Sequence, residues 1–175
     1  MKNKDKLSIY IDSTSIRKRV VQLAKRLNKD YKNKVPVFIG ILNGSFVFLS
    51  DLVRQLKIEL EIDFLKLSSY GDDKISSGDI RLVKGLNSSV ENRDVVIVED
   101  IIDSGSSVKF INELISHHKP NSLEFVALLY KKNMNKLDFN IKYAGFKIPD
   151  KFVVGYGLDY AQKYRNLKSI YIINN

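Results

Sequence analysis

Two short runs, VPVFIGIL at 35–42 and VVIV at 95–98, are apolar throughout rather than at every second position. A strand with one face in water alternates apolar and polar side chains, so an unbroken, β-branched run belongs to a strand covered on both faces. Each run leads into small or polar residues, Asn43-Gly44-Ser45 and Asp103-Ser104-Gly105, and then into a helical pattern, Phe46 to Leu56 and Ser106 to Ser116. Strand, loop and helix therefore repeat, and right-handed crossovers place the helices on the faces of one sheet. The pattern predicts an α/β fold: a mostly parallel, twisted sheet flanked by helices, with ligands bound beyond the strand C-termini.

The other segments fit this frame. Ser13 or Thr14 is expected to cap a helix in which Ile16, Val20, Leu23 and Leu27 recur at helical spacing, with Arg17, Lys18, Lys25 and Arg26 on the opposite side. Strands are expected at Ile58 to Leu67, Ile80 to Val83 and Ser122 to Tyr130, as short pieces within 141–156, and in SIYII near the C-terminus. The polar segment SSYGDDKISSGD, 68–79, reads as a lid-like or disordered loop. A length of 175 residues suits one domain over 1–175.

Composition narrows the chemistry. The chain has no cysteine, which excludes disulfides, thiolate metal sites and a cysteine nucleophile. No apolar run approaches the roughly 20 residues of a membrane span, and MKNKDKLSIYIDSTS has no apolar core of a signal peptide, so no membrane partner and a cytoplasmic location are expected. The net charge of +9 is concentrated in residues 1–34, where 11 Lys and Arg face Asp5, Asp12 and Asp30. A solvated helix face, steering of anions and contact with nucleic acid all fit such a segment; the first is the ordinary case, and nucleic acid is not an expected partner.

The densest chemistry follows VVIV. Glu99 and Asp100 stand where that strand ends, and Asp103-Ser104-Gly105-Ser106-Ser107 spans the turn into a helix. A helix start presents free N–H groups and the positive end of its dipole, and glycine with small hydroxyl residues lets a phosphate reach them. The two acids suit sugar hydroxyls or a divalent cation. Carboxylates beside a phosphate cradle imply a phosphorylated sugar. A plain helix cap and a solvated strand end would look the same in sequence. The loop is neither a P-loop nor a dinucleotide-binding glycine turn.

VVIVEDIIDSGSS resembles the 5-phosphoribosyl-1-pyrophosphate (PRPP) signature of type I phosphoribosyltransferases. IPDKFVVGYGLDYAQKYRNL, 148–167, is similar to the purine-binding end of hypoxanthine phosphoribosyltransferases, and GILNGSFVF and SSYGDD match in order between Val37 and Ile173. The resemblance implies the type I fold, with a small hood subdomain from the N- and C-terminal segments and a mobile lid at about 68–79. It also implies Mg²⁺-dependent purine salvage: hypoxanthine, and guanine, with PRPP give IMP or GMP and pyrophosphate. A homodimer or homotetramer is the usual assembly.

Residue by residue, the resemblance gives Glu99 and Asp100 the ribose hydroxyls, directly or through Mg²⁺. It gives Asp103, Ser104, Gly105, Ser106 and Ser107 the 5-phosphate, and makes Asp103 the general base or acid near purine N7. Lys131 matches the donor to the 6-oxo group, Phe152 the aromatic stacked on the base, and Val153 a backbone contact. Asp159 matches a water-mediated Mg²⁺ ligand and Arg165 a pyrophosphate contact. Asn43 and Gly44 fall in a loop that binds pyrophosphate through amides, often with a cis peptide after Leu42; Ser69 and Tyr70 fall in the lid. Some members carry lysine where this chain has Asn43, and arginine near Asn135, so pyrophosphate is expected to depend more on Arg165, amides and Mg²⁺. Without the family, a Lys-Lys pair at a strand end is ordinarily solvated, FVV is ordinarily core, and His117 and His118 sit at a helix end with no catalytic part. A catalytically silent regulator of the same fold, binding PRPP or nucleotide and also nucleic acid, is the alternative reading.

Overall fold

In the computed structural model, which describes residues 6–69, 80–131, 137 and 139–174, the sequence patterns become nine strands and three helices among those residues. In chain order they are β1 (Lys6–Ile11), α1 (Ser13–Asp30), β2 (Val37–Leu42), α2 (Phe46–Val53), β3 (Glu61–Ser69), β4 (Ile80–Lys84), β5 (Asp94–Ile102), α3 (Ser106–Ser116), β6 (Ser122–Tyr130), β7 (Tyr143–Lys147), β8 (Val153–Val154) and β9 (Ile170–Asn174). Six strands form one sheet in the order β4-β3-β2-β5-β6-β7, parallel except for β4. Its faces account for the unbroken runs. Val96 and Val98 of β5 pack with Phe38 and with α1 and α2 through Ile16, Leu23, Phe48 and Leu52. Val95 and Ile97 pack on the other side with Val37, Ile39 and the α3 residues Val108, Ile111 and Ile115. The expected α/β architecture is the one observed.

β1, β9 and β8 make a second, antiparallel sheet, which joins the two ends of the chain. β1 was not anticipated: its apolar residues are offset by exposure, Ile9 lying open at 62%, and it acquires a partner only 159 to 168 residues later in sequence, in β9. The cap of α1 also falls one residue earlier than expected. Asp12 Oδ1 accepts from Thr14 N and Ser15 N, both at 2.9 Å, and Oδ2 accepts from Ser15 Oγ. Ser15 above all holds the Asp12 carboxyl below its usual range, against the pull of burial. α2 stops at Val53 although the apolar pattern continues to Leu56, because Gln55 and Leu56 donate three residues back, to Leu52 O and Val53 O, and tighten the last turn. Ser68 and Ser69, expected to open the polar loop, instead close β3 by pairing with Arg81 and Ile80 of β4. Residues 70–79, with Tyr70 and the rest of the expected lid, lie outside the described residues, as does Asn135.

One buried carboxylate ties the sheet edge together. Asp63, the third residue of β3, is 4% exposed and accepts from the N–H groups of Phe64, Asn87 and Ser88 at 2.7, 2.7 and 2.9 Å. Lys84 Nζ lies 3.4 Å away. Burial alone would raise the Asp63 pKa, but the three backbone donors and the Lys84 charge outweigh it and hold it below the usual carboxylate value. Asp63→Asn puts an amide donor against donors, so we predict a loss of about 2 kcal/mol in chemical denaturation at neutral pH. The sign with pH follows from the depressed folded-state pKa. The wild-type advantage is full above the ordinary carboxylate pKa and fades as pH falls through the depressed value, so the two denaturation curves should converge in acid.

Candidate active site

The strand order reverses between β2 and β5. β2 leads through α2 to β3 on one side, β5 leads through α3 to β6 on the other, and α2 and α3 cover opposite faces. The crossovers leave a crevice at the C-terminal ends of these two strands, where α/β sheets bind ligands. The loop after β2 holds Asn43 and Gly44, and the Leu42–Asn43 peptide is cis. Glu99 and Asp100 lie near the end of β5, and Asp103 follows it.

Gly105 sits at φ +85° as the N-cap of α3, a left-handed conformation that glycine accepts without strain, and no side chain caps the helix there. Ser106 N donates to Ser104 Oγ at 3.4 Å, the next N–H groups of α3 have no intrahelical acceptor, and Ser104 Oγ and Ser106 Oγ lie 3.1 Å apart beside them. A cavity of about 340 Å³ is lined by Glu99, Asp100, Asp103, Ser104, Gly105 and Ser107, with Leu42 and Ser68 opposite. Glu99 is 5% exposed. Burial first, and then the Asp100 charge, push its carboxyl well above the usual range. Burial likewise raises Asp100 to about 6, against a bond from the Ile101 N–H and the Arg165 charge, which favour its ionised form, while Asp159 adds to the rise. Buried Glu99 and half-buried Asp100, with a third acid near, form a negative centre that an added cation would relieve.

A second cavity, of about 240 Å³, adjoins the first; Asp100, Ile101 and Asp103 line both. Its other walls are Lys131, Lys151, Phe152, Val153, Leu158 and Asp159. Lys131 is buried rather than solvated, its Nζ 2.7 Å from Asp103 Oδ2 and 2.9 Å from Asp150 Oδ1. Burial would lower its pKa, but the two carboxylates outweigh that and raise it, which keeps the ammonium charged. Phe152 is 59% exposed although Val153 and Val154 beside it are buried, and its ring meets Tyr160 edge-on at 5.8 Å. An aromatic face left open over a cation-bearing slot suits a flat heterocycle.

The loop from Gly155 to Leu167 closes the crevice. Asp159 Oδ1 pairs with Arg165 Nη2 at 2.7 Å, and Arg165 Nη1 donates to Gly157 O at 2.7 Å. Gly157 has φ +102°, and a Cβ there would overlap the Gly44 carbonyl oxygen; a Cβ on Gly44 would overlap the Asp100 carboxylate. Three segments distant in sequence thus touch at two glycines. Ser69 stands at the end of β3, at the 340 Å³ cavity's Ser68 side; its side chain and all of Tyr70 fall outside the described atoms. His117 caps the C-terminus of α3, where its Nδ1 lies 2.6 Å from Glu113 O, away from this centre. Asp150 and Lys151 were missed by sequence reasoning; an Asp after a proline and a lysine in a charged chain carry no distinguishing signal. A larger cavity of about 680 Å³ opens between α1, α2 and 165–168, but its walls include Ile16, Val20, Phe46 and Val47 and none of the Glu99–Asp103 acids. The Glu99–Asp103 acids and the buried Lys131 line the paired smaller cavities instead.

Among the described residues no three His, Cys, Asp or Glu side chains form a ready-made metal cage. Mg²⁺ takes one or two carboxylates and completes its shell with water and substrate oxygens. The all-oxygen donor set of Glu99, Asp100 and Asp159 fits such a hard cation.

The phosphoribosyl transferase domain family matches residues 8–161. The hypoxanthine-guanine phosphoribosyltransferase of Bacillus subtilis (strain 168) is 42% identical over 165 residues, covering 94% of this chain and 92% of its own length. That of Staphylococcus aureus (strain N315) is 46% identical over 166 residues, covering 95% and 93%. The crystal structure of a hypoxanthine-guanine phosphoribosyltransferase from Bacillus anthracis superposes with a TM-score of 0.91 at 39% identity, over 98% of this chain and 100% of that one. Domain, sequence and fold agree with the two-cavity crevice: the chain belongs to the phosphoribosyltransferase family, alongside the hypoxanthine-guanine phosphoribosyltransferases.

Proposed function

We propose that this protein is a purine salvage transferase, joining hypoxanthine or guanine to the ribose phosphate of PRPP to give IMP or GMP and pyrophosphate. The observation that carries the reading is the junction of two cavities at Asp100, Ile101 and Asp103, one running to a helix start and the other to a buried lysine and an open aromatic ring. A molecule with a phosphate at one end and a flat base at the other spans that pair, with its ribose at the shared acids.

On this reading Ser104 to Ser107 receive the 5-phosphate at the start of α3, and Glu99 and Asp100 accept from the ribose hydroxyls. Phe152 stacks on the purine, Val153 contacts its edge through the backbone, and Lys131 donates to the 6-oxo oxygen. Purine N9 attacks C1 of the ribose, and the C1–O bond breaks with its electron pair leaving on pyrophosphate. The proton of N7 passes to Asp103, which stands at the junction. Lys131 draws charge toward O6 as this happens. Amides of the Asn43–Gly44 loop and the Arg165 guanidinium receive the pyrophosphate, and Ser69 and Tyr70 belong to the segment that excludes water. Glu99, Asp100 and, through water, Asp159 would hold Mg²⁺, which when bound neutralises oxygens of the leaving pyrophosphate.

No described helix is long and apolar enough to cross a membrane. A cytoplasmic site of action is part of the proposal, because PRPP is multiply anionic and does not cross lipid unaided. The half-exposed Phe46 beside the apolar groove of α1 and α2 supports a homodimer or homotetramer.

The direct test is formation of IMP from hypoxanthine, PRPP and Mg²⁺, followed by its pyrophosphate release; no product from any 6-oxopurine would end this reading. Asp103→Asn should lower turnover by about 10²- to 10⁴-fold while the KM for PRPP changes little, as steady-state kinetics will show. Gly44→Ala forces the Asp100 carboxylate aside. A displacement of about 1 Å predicts a fall of roughly 100-fold in kcat/KM for PRPP, with the melting temperature nearly unchanged.

A further inference from the structure

Three neighbouring parallel strands end at one level, and each delivers a charged residue to the same point. Ile102 of β5 pairs with Tyr130 of β6, and Tyr130 with Lys147 of β7. The ladder continues one step further, with Lys131 N donating to Ile102 O at 2.9 Å and Ile148 N to Tyr130 O at 3.0 Å. Lys131, the first residue past β6, is therefore flanked by the exits of β5 and β7, which carry Asp103 and Asp150. Both carboxylates reach its Nζ, at 2.7 and 2.9 Å. The lysine side chain is 6% exposed, whereas the acids are 53% and 58% exposed.

The two acids are not equivalent. Asp103 lines both substrate cavities, while Asp150 stands behind the lysine, outside the lining of the base cavity. On the proposed mechanism Asp103 takes the N7 proton and its charge no longer supports the lysine, and weakening the anionic surroundings of a buried ammonium is costly and favours loss of its charge. Asp150 remains beside Nζ without competing for the base. Its own exposure is no objection, since the energetic demand comes from the buried partner rather than from the acid.

We infer that Asp150 is a positioning residue: it holds the Lys131 ammonium in place, aimed at the base cavity, while Asp103 exchanges that lysine for the purine. This rests on the reading of Lys131 as the donor to the 6-oxo group. It assigns the short IPD segment after β7 a part in base recognition, exerted entirely through another side chain.

A double-mutant cycle tests it. Asp150→Asn should raise the KM for hypoxanthine about tenfold, as loss of one charge-assisted bond implies, with the KM for PRPP within about twofold of wild type. IMP affinity is then measured by calorimetry for wild type, Asp150→Asn, Lys131→Met and the double variant. The inference predicts that Asp150→Asn weakens IMP binding in the lysine background and adds almost nothing in the methionine background. Equal losses in both backgrounds, a rise in PRPP KM matching that for hypoxanthine, or no effect of Asp150→Asn would overturn it. If Lys131→Met itself leaves IMP affinity unchanged, the role given to Lys131 falls, and the inference with it; a large effect of Lys131→Met with additive losses sinks only the inference. Asp150→Ala carries the same cycle should the asparagine variant fail to fold.

Discussion

Strand β5 is the member on which the rest of the structure depends. It is hydrogen-bonded to β2 along one edge and β6 along the other, and its side chains pack against helices on both faces. Such a strand cannot slide by one residue without exchanging its two buried faces, so its register is held firmly. The acids at its C-terminal end inherit that rigidity. Glu99 and Asp100 continue the ladder itself, and Asp103 follows one residue beyond it. Apolar packing far from the chemistry thereby sets the positions of the charges.

The same strand explains the electrostatic character of the crevice. A pleated strand points successive side chains to opposite faces, so buried Glu99 and half-buried Asp100 leave β5 in different directions, although both line the 340 Å³ cavity. Neither finds a neutralising lysine within ion-pair distance among the described residues, and burial pushes both carboxyls up. The positive charges lie one step away: Arg165 is tied to Asp159, and Lys131 to Asp103 and Asp150. Acids held in surplus at the centre, with cations held at its margins, suit a substrate that brings phosphates and a metal together. Glycines at 44 and 157 make the arrangement possible, because side chains there would occupy the space of Asp100 and of the Gly44 carbonyl.

Much of this was legible in the residues. VVIV and VPVFIGIL announced strands covered twice, and the small residues after them announced turns into helices. DSGSS announced a helix start open to phosphate, and the resemblance of 148–167 to purine-binding ends pointed to the base. Less legible were the features that depend on distant partners. β1 alternates too weakly to stand out, since its apolar residues find their partners only in the folded chain, against β9 and the main core. Asp63 looked like any acid in a strand, and only the folded chain aims the Asn87 and Ser88 N–H groups at it. Without the resemblance, Phe152 would read as core because it adjoins two valines, and Lys131 as solvated because lysine usually is.

The sequence by itself determined which segments become the strands of the main sheet, which turns can approach an anion, and that carboxylates and hydroxyls would lie together after one strand. Those properties are local: side-chain periodicity, glycine's freedom at positive φ and the open N–H groups of a helix start act over a few residues. Tertiary structure alone decided that Lys131 would be buried between Asp103 and Asp150, and that Gly157 would press on Gly44 and Gly44 on Asp100. Those contacts join residues 19 to 113 positions apart, and they arise from strand order and ladder register, which no short stretch of chain encodes.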